Sequence, residues 1–447
     1  MFETIAAITT PLGRGGVAIV RISGRSAVKI AETVCFLENN QTINMMLPRT
    51  IFRATFKNIK GEFLDEGLVL KMLAPNSFTG EDIVEIHCHG GNIPPKMILK
   101  ELIKSGARLA EPGEFTRRAF LNGKMDLTRA EAVADVIDAE TENSLYAAAT
   151  QLDGLLANSI NSVRDSLLSA ASHILALLDY PEEGVEDFPF ATLSDLLHDA
   201  KLRIEELLAT APSGRILRDG YNIALIGSAN VGKSSLLNAI LGDDRAIVTE
   251  IAGTTRDVLK ERANINGYLV NLWDTAGIRK TTDKVESIGV KRSLDSLKNA
   301  DLTLVVFDGS RPPQPDDLKI LEITKECNRI ILINKCDLTQ KYTHSEGHLI
   351  SAKNFTGMPR LFELITKQFE TLTPKDRPMI TNPRQEAVLS SALGSLIEAE
   401  KALTEHAPID IILSDIELSI AALGRVTGKN VNDEIIDGIF SRFCVGK

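Results

Sequence analysis

Gly227-Ser-Ala-Asn-Val-Gly-Lys-Ser234 follows the apolar run Ile223-Ala-Leu-Ile226 and precedes Ser235-Leu-Leu-Asn-Ala-Ile240. The run predicts a short buried strand and the last stretch a helix, so G-x-x-x-x-G-K-S is the turn between them. Gly227 and Gly232 let backbone N–H groups close around phosphate oxygens. Lys233 reaches the β- and γ-phosphates, and Ser234 offers its hydroxyl to Mg²⁺. The eight-residue pattern alone occurs by chance. Between a strand and a helix it predicts a nucleotide enzyme.

The residues downstream choose the base. Asn334-Lys-Cys-Asp337 comes directly after the apolar run Ile330-Ile-Leu-Ile333, where the carboxyl end of a strand presents it to ligand. A carboxylate at Asp337 accepts both N–H groups of guanine's N1/N2 edge, a donor pair that adenine lacks, and a site built to bond such groups discriminates strongly. Ser351-Ala352-Lys353 supplies a further loop behind the base. Between these stretches lie Gly253-Thr-Thr-Arg-Asp257 and Asp274-Thr275-Ala276-Gly277, the second closing the predicted strand Leu269-Val-Asn-Leu-Trp273. In order and spacing these stretches resemble the five motifs of small GTPases. The resemblance extends the nucleotide site over Asn230, Val231, Gly232, Lys233, Ser234, Ser235, Thr249, Thr254, Thr255, Asn334 and Lys335. It also makes Ser234 and Thr255 the Mg²⁺ ligands and lets Asp274 hold the metal through water.

Many GTPases place a glutamine just after D-x-x-G to orient the attacking water. Ile278 stands there and cannot. Arg279, Lys280, Asp283 and Glu286 follow within two helical turns. The stretch resembles one GTPase family in which a glutamate at the position of Glu286 orients the water, which makes Glu286 the expected catalytic carboxylate; the plain alternative is a solvated charged loop. Arg279 has less to distinguish it from an ordinary surface arginine. Asn230 offers an amide oxygen inside the phosphate loop, where a potassium ion would neutralise charge developing on the phosphates; the alternative is a polar loop residue. The family resemblance adds Thr249, Ile251 (through its carbonyl) and Thr254 as the remaining potassium ligands.

The 447 residues, 44% hydrophobic, predict about three domains. Mean hydropathy is near zero, and the apolar runs fall short of the ~20 residues a membrane helix needs. Met1-Phe2-Glu3 has no basic n-region, so no leader is expected. Cys35, Cys88, Cys327, Cys336 and Cys444 show no C-x-x-C pair, which suits a reducing cytosol and a cytoplasmic location. The net charge of −10 argues against bulk nucleic-acid binding. Residues 1–118 nevertheless hold 15 Lys+Arg against 12 Asp+Glu, a net of +3 that leaves −13 on the remainder. An anionic partner, if the protein has one, is therefore expected at the amino-terminal part.

Residues 1–118 read as mixed α/β, with strands at Gly16–Ile22 and Ile83–His87 and a helix from Pro94 to Ser105. From Ala119 the character turns helical: 126–180 is rich in Ala, Leu and Ile, and Leu193, Leu196, Ala200, Ile204 and Leu207 keep the 3.6-residue period. Pro212-Ser-Gly214 is expected to break it, with the nucleotide domain starting near Arg218. Helical spacing returns after Pro383, with turns near Pro408 and Gly428. The reading is a multidomain α/β and α chain: an α+β domain at 1–118, a helical domain in halves 119–215 and 378–447, and a Ras-like P-loop GTPase domain inserted at 216–377. His87-Cys-His89 places two imidazoles on one strand face, but with no third or fourth ligand in sight a structural role outweighs a metal site.

The whole chain resembles the bacterial tRNA-modification GTPase family called MnmE or TrmE. The matching stretches are Thr4-Ile-Ala-Ala-Ile8, Pro11-Leu-Gly-Arg-Gly-Gly-Val-Ala-Ile-Val-Arg-Ile-Ser-Gly24, Asn76-Ser-Phe-Thr-Gly-Glu-Asp82, His89-Gly-Gly91, Pro112-Gly-Glu-Phe-Thr-Arg-Arg-Ala-Phe-Leu-Asn-Gly-Lys124, Asp126-Leu-Thr-Arg-Ala-Glu-Ala132 and the Cys444-Val-Gly-Lys447 tail. The resemblance implies that the first domain binds folate and dimerises the protein. Arg21, Glu81, Lys124 and Lys447 would then contact a 5-formyl- or 5,10-methylene-tetrahydrofolate. Cations suit its glutamate tail, and a carboxylate suits its pterin edge. It further implies a homodimer working with the flavoprotein MnmG on tRNA, to install a (carboxymethyl)aminomethyl group at carbon 5 of the wobble uridine. The chain carries no G-x-G-x-x-G fingerprint for a flavin or dinucleotide of its own. The competing readings are a ribosome-assembly GTPase and a nucleotide-timed scaffold without one-carbon chemistry.

Overall fold

The computed structural model describes residues 3–11, 13–38, 41–179, 190–245, 260–274, 300–369 and 377–447. Two compact units emerge: Met1–Ala134 with Ile420–Lys447, and Asp135–Ser419.

The first unit opens with β1 (Ile5–Ile8), β2 (Val17–Ser23), α1 (Ala27–Glu32), β3 (Cys35–Leu37), β4 (Ile51–Lys57), β5 (Phe63–Met72), β6 (Ile83–His89), α2 (Pro94–Lys104), β7 (Arg108–Leu109) and α3 (Glu114–Leu121). The strands form one sheet in the order β3-β4-β5-β6-β2-β1-β7, antiparallel except for β1 beside β7. The strands read from sequence are β2 and β6, paired with Ile19 opposite His87. Alternation puts Ala18, Val20, Ile22, Val84 and Ile86 on one face, where Ile30 of α1 and Ile98 and Leu102 of α2 cover them. Each such large aliphatic side chain contributes about 1.5–3 kcal/mol by leaving water.

The helices continue with α4 (Leu127–Asp138), α5 (Glu142–Asp153), α6 (Leu155–Asp179), α7 (Phe190–Leu208) and α8 (Ala211–Asp219). Thr141 and Ser144 form a capping box at the start of α5, and Gly154, at φ 93°, ends it. The expected break at Pro212–Gly214 is overturned: Pro212 lies in the first turn of α8, and the helix runs to Asp219. Proline in a first turn costs no hydrogen bond, because that N–H has no intrahelical acceptor. Gly214 is needed for packing, since a Cβ there would meet the Ile380 carbonyl oxygen at 1.9 Å.

The nucleotide stretch comprises β8 (Tyr221–Ile226), α9 (Lys233–Arg245), β9 (Lys260–Ile265), β10 (Tyr268–Asp274), β11 (Leu302–Asp308), α10 (Pro315–Ile323), β12 (Arg329–Asn334), β13 (Gly347–Leu349) and α11 (Met358–Lys367). The sheet order is β13-β12-β11-β8-β10-β9, with every neighbour parallel except the β9–β10 hairpin. β8 thus lies between strands that follow it on either side, and the order reverses at its carboxyl end. That is where open α/β sheets hold ligand.

After this sheet come α12 (Pro383–Thr404) and α13 (Ile409–Thr427). Lys201 of α7 donates to Glu400 of α12 at 2.7 Å, so helices on either side of the nucleotide stretch in sequence are neighbours in space. The last helix, α14 (Asp433–Phe440), belongs to the first unit. Its Ile436 and Phe440, with Phe443, pack on Leu127 and Ala130.

Candidate functional site

The residues of β8 from Ile223 to Ile226 are buried, and the chain turns at once into the phosphate loop. Asn230 has φ 63° and Gly232 φ 98°, the left-handed region that glycine adopts without penalty. A Cβ on Gly232 would stand 2.3 Å from Asn334 Nδ2, and one on Gly227 2.4 Å from the Val306 carbonyl oxygen. Only glycine fits either place. Lys233 is buried, its Nζ donating at 2.8 Å to the carbonyls of Gly227 and Ser228. Ser234 and Ser235 are exposed in the first turn of α9, whose free N–H groups and dipole favour an anion.

Asn334 ties this loop to the base side. Its Nδ2 donates to the Val231 carbonyl at 2.9 Å, and its Oδ1 accepts from the Ala352 N–H at 3.1 Å. Lys335, at φ 65°, donates from Nζ to the Asn230 carbonyl at 3.0 Å and to Asp308 Oδ2 at 2.5 Å. Asp337 stands exposed, with Oδ1 accepting from the buried Ser351 hydroxyl at 2.6 Å. That bond holds its carboxyl below the usual range. One oxygen is thereby oriented, and the carboxylate stays ionised to receive N–H donors.

Asp308 was not singled out from the sequence. Burial pushes its carboxyl up, but the bonds from Lys335 and Ser310 outweigh that and the net shift is downward. Ser228 donates to Asp317 at 2.7 Å, and Arg311 reaches both residues. The available signal was Asp308-Gly-Ser310 closing the wholly buried strand Leu302–Phe307.

In the first unit, four stretches distant in sequence meet on α3. The Arg21 guanidinium stands 5.6 Å from the ring centroids of Phe78 and Phe115, and its Nε donates to Glu85 at 2.8 Å. Glu81 accepts from Arg118 at 3.0 and 3.3 Å and from Ser23 Oγ at 2.8 Å. Arg118 is 1% exposed and also holds Glu114 at 2.8 Å. Lys124 follows α3, its N–H bonded to the Ala119 carbonyl and its Nζ to the Pro75 carbonyl at 2.9 Å. The tail docks at the first turn: Gly113 N donates to Cys444 O at 3.3 Å, Phe115 N to Lys447 O at 3.1 Å, and Val445 bridges Pro112. Each of Arg21 and Glu81 thus has a partner within the protein, while Phe115 and Arg118 are site-organising residues the sequence reading did not name.

The two imidazoles of β6 serve different acids. His89 Nδ1 lies 2.7 Å from Asp65 Oδ1, which raises the His89 pKa, and His87 Nε2 lies 3.5 Å from Glu85. Among the described residues no three His, Cys, Asp or Glu side chains gather as a metal site. Thr249, Ile251, Thr254, Thr255, Thr275, Ala276, Gly277, Ile278, Arg279, Lys280, Asp283 and Glu286 lie outside the described residues. Asp274 closes β10 opposite Leu225.

Two family models match: the "MnmE helical domain" over residues 127–444, and the "GTP-binding protein TrmE N-terminus" over residues 4–124. The tRNA modification GTPase MnmE of Lactococcus lactis is 44% identical over 453 residues, covering 100% of this chain and 99% of that protein. That of Clostridioides difficile is 42% identical over 456 residues with the same coverage. Among solved structures, Era from Aquifex aeolicus bound to GDP and aluminium fluoride aligns at 27% identity, over 39% of this chain and 66% of that one, with a TM-score of 0.27. The G domain of the Thermotoga maritima FeoB iron transporter aligns at 28% identity, over 33% and 97%, with a TM-score of 0.26.

Proposed function

The chain belongs to the MnmE family of tRNA-modification GTPases, and from that premise we propose a potassium-activated, dimerisation-dependent GTP hydrolase that binds a tetrahydrofolate one-carbon carrier. It acts with the flavoprotein MnmG to install a (carboxymethyl)aminomethyl group at carbon 5 of the tRNA wobble uridine. The observation that supports this reading is that Arg21, Glu81 and the main chain of Lys447 each contact a residue of α3 (Phe115, Arg118 and Phe115), with Lys124 just beyond its end. A bare nucleotide switch has no use for the main chain of Lys447 pinned to the first turn of the helix that holds Glu81 and stacks on Arg21. When bound, the folate supplies the methylene carbon. Glu81, already oriented by Arg118 and Ser23, offers an acceptor to the N–H edge of a pterin, and the cations suit its anionic tail.

In the nucleotide site, Asp337 selects guanine and the loop Gly227–Ser234 wraps the phosphates. The Asn230 side chain is exposed and has no hydrogen bond among the described residues, which leaves its amide oxygen open to K⁺ with Thr249, Ile251 and Thr254. The exposed Ser234 hydroxyl is likewise open to Mg²⁺ with Thr255. Glu286 orients the attacking water in place of the glutamine missing at Ile278. Hydrolysis across the dimer then drives opening and closing of the two nucleotide domains.

The test is GTP hydrolysis by the purified chain in potassium and in sodium, beside Asn230→Ala and Glu286→Ala. The expected result is potassium stimulation lost in Asn230→Ala, with hydrolysis abolished but GTP binding kept in Glu286→Ala. Equal rates in both salts with Glu286→Ala unaffected would sink the mechanism. Binding of 5-formyl-tetrahydrofolate to wild type and to Glu81→Gln tests the folate arm.

A further inference from the structure

Charge is distributed unevenly over the helices. α6, α7, α12 and α13 each carry a net negative charge, as the −10 of the whole chain leads one to expect. α3, α8 and α11 are each net +1, and α2 is the most positive: in Pro94-Pro-Lys-Met-Ile-Leu-Lys-Glu-Leu-Ile-Lys104 three lysines stand against one glutamate. Lys96, Lys100 and Lys104 recur every four residues and so form one stripe along the helix. All three are exposed, whereas Glu101 is buried, where it accepts from Lys104 and from the Ile59 N–H. The outward face of α2 therefore shows cations and no carboxylate. Lys96 and Lys100 have no ion pair among the described residues.

α1 extends this face. Thr33 Oγ1, just after α1, donates to Ser105 Oγ, just after α2, at 2.8 Å, which brings the two helix ends together. A cleft of about 500 Å³ lies there, lined by Lys29, Ser26, Thr33, Ser105 and the pair Arg108–Glu3, 2.9 Å apart. Lys29 is exposed. The result is a run of ammonium groups along α2 that ends in a hydroxyl-lined cleft with a fourth lysine. Point charges on flexible stems, without the planar fork of arginine, suit phosphate groups met along a backbone rather than base edges.

We propose that the exposed face of α2, continued by Lys29 of α1, receives the sugar-phosphate backbone of the tRNA. This rests on tRNA being the substrate, as the reading above has it, and adds where the chain touches it. With Glu101 turned inward to hold the Ile59 N–H and Lys104, Lys96 and Lys100 face outward with no acid of α2 beside them. The exposed Ile93, Met97 and Ile103 beside the lysines make an anionic membrane the rival occupant, and the experiment separates the two.

The full-length chain is titrated against fluorescently labelled tRNA between 50 and 200 mM KCl as wild type, as K96E/K100E, and as K319E/K325E, which makes the same charge change on and after α10. Each lysine–phosphate contact steepens the log–log salt dependence by about 0.9. Loss of two contacts thus makes the wild-type affinity fall about 12-fold more than that of K96E/K100E over this fourfold range of salt. K319E/K325E keeps the wild-type slope. Equal slopes in all three proteins, equal losses in the two variants, or no salt-dependent tRNA binding by the wild type would each overturn the proposal. So would binding of K96E/K100E to tRNA as tight as wild type, with binding lost only to vesicles of anionic phospholipid. Potassium-dependent hydrolysis and 5-formyl-tetrahydrofolate binding, measured on the same samples, stay unchanged in K96E/K100E. Their failure in the wild type would count against the proposed function and not against this surface.

Discussion

Replacing Asn334 tests whether the phosphate loop and the base loop are held as one piece. The side chain is 3% exposed and makes two bonds, one to the Val231 carbonyl and one from the Ala352 N–H. Asn334→Ala removes both and leaves two backbone groups without partners. An orphaned buried polar group costs about 1–3 kcal/mol. The pair therefore costs at least about 2 kcal/mol, equivalent to about 30-fold in affinity where the loss falls on the ligand-ready arrangement. Asn334→Asp discriminates further. One carboxylate oxygen still accepts from Ala352, but the other replaces a donor and faces the Val231 carbonyl, so aspartate is at least as damaging as alanine despite its shape. The assay is titration with a fluorescent guanine nucleotide, beside urea unfolding of the same proteins. Affinities and unfolding midpoints of both variants matching wild type, or an aspartate variant clearly better than alanine, would refute the reasoning.

Other predictions follow from the same geometry. Gly446→Ala forces a side chain into φ 97° with its Cβ 2.5 Å from the Ile8 carbonyl oxygen, so the variant loses at least about 1 kcal/mol and binds 5-formyl-tetrahydrofolate more weakly; differential scanning calorimetry and a binding titration check both. Arg118→Met leaves Glu81 without its cation while Glu114 keeps Arg108, an effect of about 3 kcal/mol that chemical denaturation would detect. The depressed pKa of Asp308 means it stabilises the fold above the ordinary carboxylate range, a contribution lost as pH falls through its folded value. Asp308→Asn is thus less stable than wild type near neutral pH, and the two converge in strong acid; parallel urea midpoints across pH would refute the bonds from Lys335 and Ser310 as a source of stability.

Most of the fold was legible because its signals are local. A strand, a G-x-x-x-x-G-K-S turn and a helix fix the place of Lys233, and apolar runs ending in Asn334 and Asp274 mark strand ends by themselves. The error at Pro212 is also local: proline ends a helix or begins one, and only the contact of Gly214 with Ile380 decides which. The partners of the site residues were not legible. Arg118 reads as one of two adjacent arginines, Arg117 and Arg118, and nothing in their order says that one is buried between Glu81 and Glu114 while the other faces Asp437. Asp308 likewise becomes informative only when β11 and β12 lie side by side.

The docking of Lys447 on the first turn of α3 has a consequence for how the protein is made. Domains generally fold as units from the amino terminus while synthesis proceeds. Here Lys447, more than three hundred residues further along the chain, supplies a backbone acceptor to a helix laid down within the first third of the residues. The first domain to leave the ribosome cannot complete its own hydrogen bonding until the nucleotide stretch and residues 444–447 have also been made. A product truncated between the nucleotide stretch and residue 444 would carry the whole nucleotide apparatus and an unfinished first domain. Its deficit would lie far, in sequence, from the point of truncation.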